Sequence, residues 1–110
     1  MDEQEFRRRA DSAMESLKQS LIEAEQDAEF NIENASGAIH IRFEEPPAKF
    51  VVSPNLSSKH ICISALSTSF KLVWNDDLND FVLPKTGEEL KPLVSRLMNK
   101  QLGSETVDLD

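Results

Sequence analysis

Carboxylate side chains crowd one short stretch of this sequence, residues 22–34, which reads IEAEQDAEFNIEN. Its acids, with no lysine or arginine among them, are Glu23, Glu25, Asp27, Glu29 and Glu33. Hard and borderline cations such as Fe²⁺ prefer carboxylate oxygen as a ligand, and an open surface holds them weakly. No histidine joins these acids at metal-ligand spacing and no D-x-D-x-D-G loop is present, so the stretch does not predict an enclosed cage. It predicts an open field that concentrates cations and releases them, unless it is only a solvated face.

The overall charge of the chain limits the partners that it can attract. The 110 residues carry a formal net charge of -8, which argues against a nucleic-acid surface and against attraction to anionic lipid. The balance favours cations, or a partner with a basic patch. The length fits one domain, and 39% hydrophobic residues allow a small core.

The composition predicts a soluble protein of a reducing compartment, most simply the cytoplasm. The single cysteine excludes an internal disulfide. The start, MDEQEF, lacks the pattern of a signal or transit peptide, and no apolar run approaches the roughly 20 residues that a membrane span needs. No Gly-rich phosphate loop, nucleophile elbow or zinc signature is present, so we do not expect an enzyme in the usual sense.

Apolar residues at helical spacing predict a first helix from about Glu3 to Glu25, which would carry part of the acidic stretch. Its start has a capping-box pattern, in which Asp2 is answered by Glu5. One side of the helix is predicted to be buried because its residues recur every three or four positions. That buried stripe consists of Phe6, Ala10, Met14, Leu17 and Leu21.

The other sides of this helix carry charge. The three arginines at positions 7–9 are predicted to form a solvated face, paired along the helix with Glu3 and Glu5. By helical rotation, Ile22 falls on the outward side together with Glu15. An exposed isoleucine bordered by acids indicates a binding patch.

The rest of the chain predicts a sheet and a second helix. Prolines in EEPPA should break the chain before the third strand, Trp74 should pack at the rim of the sheet, and Thr86 with Glu89 should cap the second helix. Short links between consecutive strands indicate an antiparallel sheet, with both helices on one face: an α+β two-layer sandwich. We expect a single domain over residues 1–103 and a tail over 104–110. The six alternating segments lie near 30–33, 39–44, 49–53, 60–65, 69–74 and 81–84.

This order of elements, and several stretches within it, resemble the bacterial (CyaY-type) branch of the frataxin family. Each matching stretch is short and tolerant of substitution, so the strength of the resemblance lies in their order along nearly the whole chain. The stretches are EFRRRADSAM at 5–14, IENASGAIHIRF at 32–43, TGEELKPLV at 86–94 and QLGSETV at 101–107.

The resemblance implies a role in iron–sulfur cluster assembly. Family members carry a ridge of carboxylates along the end of the first helix and the first strand, which binds iron and basic partner surfaces. The implied partners are a cysteine desulfurase and the cluster scaffold protein, and the implied cofactor is weakly held Fe²⁺ or Fe³⁺, with other divalent cations also accepted. The acids that we assign to this ridge are Glu3, Glu15, Glu23, Glu25, Asp27, Glu29 and Glu33.

One departure from the family pattern lies on the sheet. Members carry a tryptophan on the outer face of the central strand, in a pattern like Gln-(Val/Ile)-Trp-Leu-(Ser/Ala), whereas residues 60–64 here read HICIS. Cys62 therefore replaces the tryptophan and would face away from the helices, as an inert packing residue or as an exposed thiol. The residues that we expect on a partner-binding surface are Ile22, His60, Cys62 and Ser64.

Two other functions stay open at this point. The first is an acidic adaptor with no metal role, similar to small secretion chaperones; those proteins place a helix between their third and fourth strands, where PNLSSKH is short and loop-like. The second is an oligomeric iron store with ferroxidase activity. The polar outer sheet face, with His40, Arg42 and Glu44, favours a monomer instead.

Overall fold

The computed structural model describes residues 1–26, 28–44, 46–103 and 107–109. Two helices flank a run of strands that form one antiparallel sheet in chain order, each strand pairing with the next. The predicted α+β sandwich is thereby confirmed. The elements are α1 (Glu3–Ala24), β1 (Asn31–Ala35), β2 (Ala38–Glu44), β3 (Pro47–Asn55), β4 (His60–Ala65), β5 (Thr68–Asn75), β6 (Asp80–Val82) and α2 (Leu90–Leu102).

The first helix forms as its sequence predicts. Asp2 lies in extended backbone conformation, and its carboxylate accepts a hydrogen bond from the Glu5 backbone N–H at 2.8 Å. The whole predicted stripe is buried, with Phe6, Leu17 and Leu21 fully inaccessible. Burial of this stripe against the sheet, more than local propensity, stabilises the helix.

The core lies between the two helices and one face of the sheet. Alternation along each strand sends every second side chain to this face, so isoleucine, phenylalanine and leucine from the strands meet the stripes of both helices. Phe6 of α1 packs edge-to-face on Phe81 of β6, with ring centroids 5.8 Å apart. The strand residues that are 1% exposed or less are Ile41, Phe50, Val52, Ile61, Ile63, Leu72 and Phe81.

In two tight turns between consecutive strands, both turn residues have positive backbone φ. Ser36 and Gly37 connect β1 to β2 with φ of 53° and 79°, and Leu66 and Ser67 connect β4 to β5 with φ of 52° and 61°. Two consecutive residues with positive φ define the primed turns that suit the twist of a hairpin. Glycine accepts this conformation without strain, whereas the Leu66–Ser67 turn contains no glycine.

The third strand begins earlier than predicted. It starts at Pro47, which lies opposite Glu44, so the prolines do not separate β2 from β3 as widely as expected. A proline is tolerated at the first position of a strand because the missing N–H interrupts no further ladder bond there.

The second helix begins later than the sequence predicts. Its N-cap is Glu89, whose side chain makes no capping hydrogen bond, so the expected cap at Thr86 is wrong. The Thr86 hydroxyl instead donates to Glu88 at 2.9 Å. Arg96 donates to both carboxylate oxygens of Glu88, at 2.7 and 2.9 Å, and these bonds hold the pKa of Glu88 below its usual range.

The described end of the chain packs on α2. Val107 and Leu109 are both buried. The Asn99 side chain donates to the Val107 carbonyl and accepts from its N–H, both at 2.8 Å. Residues 107–109 therefore extend the core across the surface of α2.

Candidate functional site

The acidic stretch lies where α1 ends and β1 begins. We call this region the acidic edge and define it by Glu23, Glu25, Glu29 and Glu33; Asp27 lies outside the described residues. Glu23, Glu29 and Glu33 are exposed, and Glu25 is half-buried. No basic residue occupies the last turn of α1, so the negative end of the helix dipole adds to the charge of these carboxylates.

Glu25 has a structural partner. Its Oε2 accepts a hydrogen bond from the Ile32 backbone N–H at 3.0 Å. This bond ties the end of α1 to β1 across the connection between them. One of the two Glu25 carboxylate oxygens is thereby engaged in a hydrogen bond, and the other remains available to coordinate a cation.

Glu33 has a cationic partner that the local sequence does not show. Arg42 Nη2 lies 3.1 Å from Glu33 Oε2, and the two side chains are 58% and 57% exposed. Antiparallel pairing sets Glu33 opposite His40, so Arg42 is the next residue on the same face of β2. The fold thus partly neutralises a carboxylate that looked uncompensated in the sequence.

Glu23 and Glu29 are the most available acids of the edge. Among the described residues, neither side chain forms an ion pair. A carboxylate without a cationic neighbour keeps both oxygens for an incoming ion. These two residues are therefore where a weakly held cation would meet the least competition.

The structure separates two of the assigned acids from the edge. Glu3 lies in the first turn of α1, roughly 30 Å along the helix from Glu23 at 1.5 Å per residue, and pairs with Arg7 at 3.5 Å. Glu15 lies about 12 Å from Glu23 on the same measure and accepts a hydrogen bond from Gln19 at 3.1 Å. Neither distance allows a shared ion with the acidic edge.

The chemistry of the edge fits iron only as a loosely held ion. Carboxylate oxygen is a suitable donor for Fe²⁺ and Fe³⁺. Within the part of the chain that the structure describes, however, no three Asp, Glu, His or Cys side chains come together in a group that could hold a metal ion. Binding at the edge would therefore rest on one or two carboxylates at a time together with the local field.

Ile22 and the outer sheet face carry the residues assigned to partner binding. Ile22 is 37% exposed beside the acidic edge. Cys62 is half-buried on the sheet face away from the helices, between Ser53 of β3 and Lys71 of β5. Ser64 is exposed, whereas His60 is 8% exposed and offers little surface to a partner.

Charge is divided between the edge and the outer sheet face. Among the described residues of β1 to β5, alternation places Arg42, Lys49 and Lys71 on the outer face, together with the acids Glu33 and Glu44. In a chain with a net charge of -8, the described outer sheet face therefore mixes basic and acidic side chains. Anionic and cationic partners would meet different sides of the molecule.

Arg9 of α1 and Trp74 of β5 form a contact between two elements. Arg9 forms the predicted pair with Glu5 at 3.2 Å, but it is less solvated than predicted for positions 7–9, because its guanidinium carbon lies 4.3 Å from the Trp74 ring centroid. Trp74 packs edge-on to Phe81 at 5.2 Å and donates its indole N–H to Asp76 at 2.7 Å. Helical spacing alone could not have found this contact because Trp74 comes from β5.

The Arg9–Trp74 pair borders a cleft of about 510 Å³ between α1, β6 and the start of α2. Asp80 lines this cleft and accepts a hydrogen bond from the Phe81 N–H at 2.7 Å. Burial raises the pKa of the Asp80 carboxyl, and a hydrogen bond with Glu89 raises it further, while the Phe81 N–H acts in the opposite direction.

Within the described residues, no helix is long and apolar enough to cross a membrane.

The connection between β3 and β4 argues against the secretion-chaperone alternative. A secretion-chaperone fold needs a helix between the third and fourth strands, and β3 and β4 are joined here by a short loop, in which the Lys59 N–H bonds to the Asn55 carbonyl at 2.9 Å.

The fold and the acidic edge define a small α+β sandwich with two helices on one face of an antiparallel sheet and a row of carboxylates at the helix-to-strand junction. The sequence profile of the frataxin-like domain matches residues 1–104, so the chain belongs to the frataxin-like (CyaY) family. This family is generally linked to iron–sulfur cluster assembly and iron binding.

Solved structures include a close match in fold. The chain is similar to a frataxin from Psychromonas ingrahamii, with a TM-score of 0.82, over 98% of this chain and 97% of the other. The two sequences are 18% identical, so this likeness shows the fold alone. No curated protein matches the chain significantly.

Proposed function

We propose that this chain is an iron-binding accessory protein of iron–sulfur cluster assembly, acting in the cytoplasm. It takes Fe²⁺ or Fe³⁺ weakly at the acidic edge and modulates a cysteine desulfurase together with its scaffold protein. Membership of the frataxin-like family is the observation that carries the proposal. The edge supports it because Glu23, Glu29 and Glu33 remain exposed in the fold.

The physical basis is an attractive field with few fixed ligands. Glu23 and Glu29 keep both carboxylate oxygens available, and the C-terminal end of α1 adds partial negative charge close to Glu23. Such a site releases its ion readily because no coordination shell has to be dismantled. Weak binding and ready release suit an accessory protein better than a permanent cofactor site.

An anaerobic Fe²⁺ titration followed by NMR tests the metal role. Paramagnetic broadening should appear first at amides of residues 23–33 and leave α2 unaffected. The double variant Glu23→Gln/Glu29→Gln should lose most of the broadening. The matched control Asp11→Asn/Asp77→Asn removes the same charge at exposed positions elsewhere and should behave as the wild type. Equal broadening over the whole surface, or none, would reject the metal role.

The partner role is tested separately, in a desulfurase assay with and without this protein and Fe²⁺. We expect the chain to change the rate of the desulfurase, and the variant Cys62→Trp to change that effect because it alters the centre of the outer sheet face. Ser57→Trp, at an exposed loop position, is the control for adding an indole anywhere. A desulfurase rate that never responds to the protein would remove this half of the proposal.

A further inference from the structure

One arginine belongs to both charged surfaces of this protein. Arg42 lies on the outer face of β2, where the register sets Asn31 of β1 on one side of it and Lys49 of β3 on the other. Its guanidinium reaches the acidic edge, with Nη2 3.1 Å from Glu33 Oε2. A cationic group of the chain itself thus lies at a carboxylate that would otherwise attract an ion from solution.

The neighbours of Arg42 favour this contact with Glu33. Lys49 lies directly opposite Arg42, and like charges in opposed positions of adjacent strands repel each other. Asn31, on the other side, carries no charge. The Arg42 guanidinium is therefore driven away from β3 and toward β1, and Glu33 is the acid with which it pairs among the described residues.

The Glu33–Arg42 pair is held weakly enough to exchange. The two side chains are 57% and 58% exposed, and exposed ion pairs contribute little to stability because water and salt screen them. A divalent cation carries twice the charge of a guanidinium, so it can compete for the same carboxylate. Arg42 is therefore a displaceable occupant of Glu33 rather than a permanent neutralising group.

We propose that Arg42 is a competitor, built into the chain, for the divalent cation that binds at the acidic edge. Arg42 occupies Glu33, and a cation that binds there must displace it. Arg42 thereby lowers the cation affinity of the edge and leaves Glu23 and Glu29 as the first acids to meet an ion. This role of Arg42 rests on the proposed cation role of the acidic edge and assigns the residue that regulates it.

Release of Glu33 matters because a second acid of the edge lies close to it along β1. Glu25 accepts the Ile32 N–H at 3.0 Å, and Glu33 follows Ile32 directly in the chain. A divalent cation is held more tightly as the number of charged carboxylate ligands near it increases. Displacement of Arg42 therefore adds a carboxylate next to the free oxygen of Glu25, and the affinity of the edge should rise.

A titration with Mn²⁺ at low salt tests the proposal in the wild type, Arg42→Gln and Lys49→Gln. The two variants lose the same charge at directly opposed positions, and Lys49 forms no ion pair among the described residues. Paramagnetic broadening of the residue-33 amide in NMR spectra gives the dissociation constant. Arg42→Gln should bind Mn²⁺ about two- to fivefold more tightly than the wild type, the range expected when an exposed pair is released. Lys49→Gln should stay close to the wild type.

A double-mutant cycle separates competition from a general effect of charge. Glu33→Gln should weaken Mn²⁺ binding little in the wild-type background, where Arg42 occupies the carboxylate, and should remove the whole gain in the Arg42→Gln background. If the wild type binds Mn²⁺ and Arg42→Gln binds it no more tightly than Lys49→Gln does, the competitor role of Arg42 is overturned and the cation role of the edge stands. If no protein shows broadening at residues 23–33, the cation role fails and the competitor role falls with it.

Discussion

Single side chains of this protein acquire their roles from partners on other elements. Glu25 bonds to β1, Glu33 pairs with Arg42 of β2, and Arg9 stacks on Trp74 of β5. Acids that look alike in the sequence therefore differ in availability. A mutation that treats the acidic stretch as uniform charge would mix a structural carboxylate with those free to meet a cation.

Asp80 allows a prediction at this scale. Burial raises the pKa of its carboxyl in the folded state, so the folded chain binds that proton more tightly than the unfolded chain does. The corresponding stability is present below the ordinary pKa of 3.8 and is lost as the pH rises through the raised value. At neutral pH an ionised Asp80 therefore lowers stability.

We expect Asp80→Asn to raise the melting temperature at pH 7 by a few degrees, because an amide can still accept the Phe81 N–H without carrying charge. The gain should disappear at a pH below the ordinary pKa of 3.8, because the wild-type carboxyl, with its raised pKa, is then protonated. Thermal denaturation followed by circular dichroism at both pH values measures this. The control Asp77→Asn, in the exposed neighbouring loop, should show no such pH-dependent gain.

The hairpins show how an element can be formed against local preference. The β1–β2 turn has glycine at the second position with positive φ, whereas the β4–β5 turn has serine there. A non-glycine residue in this conformation costs roughly 1–2 kcal/mol, and the strand pairing around it must offset that cost. Register and burial of Ile63 and Ala65 hold the turn in place.

Ser67→Gly should accordingly stabilise the protein by about 0.5 kcal/mol, after the greater backbone freedom of glycine in the unfolded chain is subtracted. Gly37→Ser is the matched reverse change: a Cβ at Gly37 meets nothing within 4 Å, so only backbone strain should act, and stability should fall by a similar amount. Urea denaturation of both variants gives the two free energies of unfolding. If both variants changed the free energy of unfolding in the same direction, backbone strain at the positive-φ positions would not explain the effects.

The molecule as a whole separates its charges. The acidic edge lies at the junction of α1 and β1, while Arg42, Lys49 and Lys71 lie on the outer sheet face. Repulsion among like charges on one edge lowers stability, and screening or a bound cation relieves it. Stability and cation affinity are therefore opposed in this protein.

Glu23→Gln/Glu29→Gln should raise the melting temperature by a few degrees at low salt and weaken Fe²⁺ binding in the same protein. Added sodium chloride should stabilise the wild type and narrow the difference, and divalent ions should do so at lower concentration because they bind. Asp11→Asn/Asp77→Asn provides the comparison at equal net charge. Melting curves that do not respond to either the variant or salt would mean that these acids do not interact.

The sequence by itself determined the layers of this fold. The stripe from Phe6 to Leu21 and the alternation at Ile39, Ile41 and Ile61 predict one buried helix face and one buried sheet face, and the structure confirms both. These patterns are local, because helix and strand periods are set by a few adjacent residues. The acidic stretch could be recognised for the same reason.

Only the tertiary structure decided which acids are free and which are paired. The contacts of Glu25 with Ile32, of Glu33 with Arg42 and of Arg9 with Trp74 join different elements. They depend on strand register and on where the end of α1 meets the sheet, and a slip of one residue would turn each strand side chain to the other face. Local periodicity fixes the faces of an element, but partners across elements are set only when the elements pack.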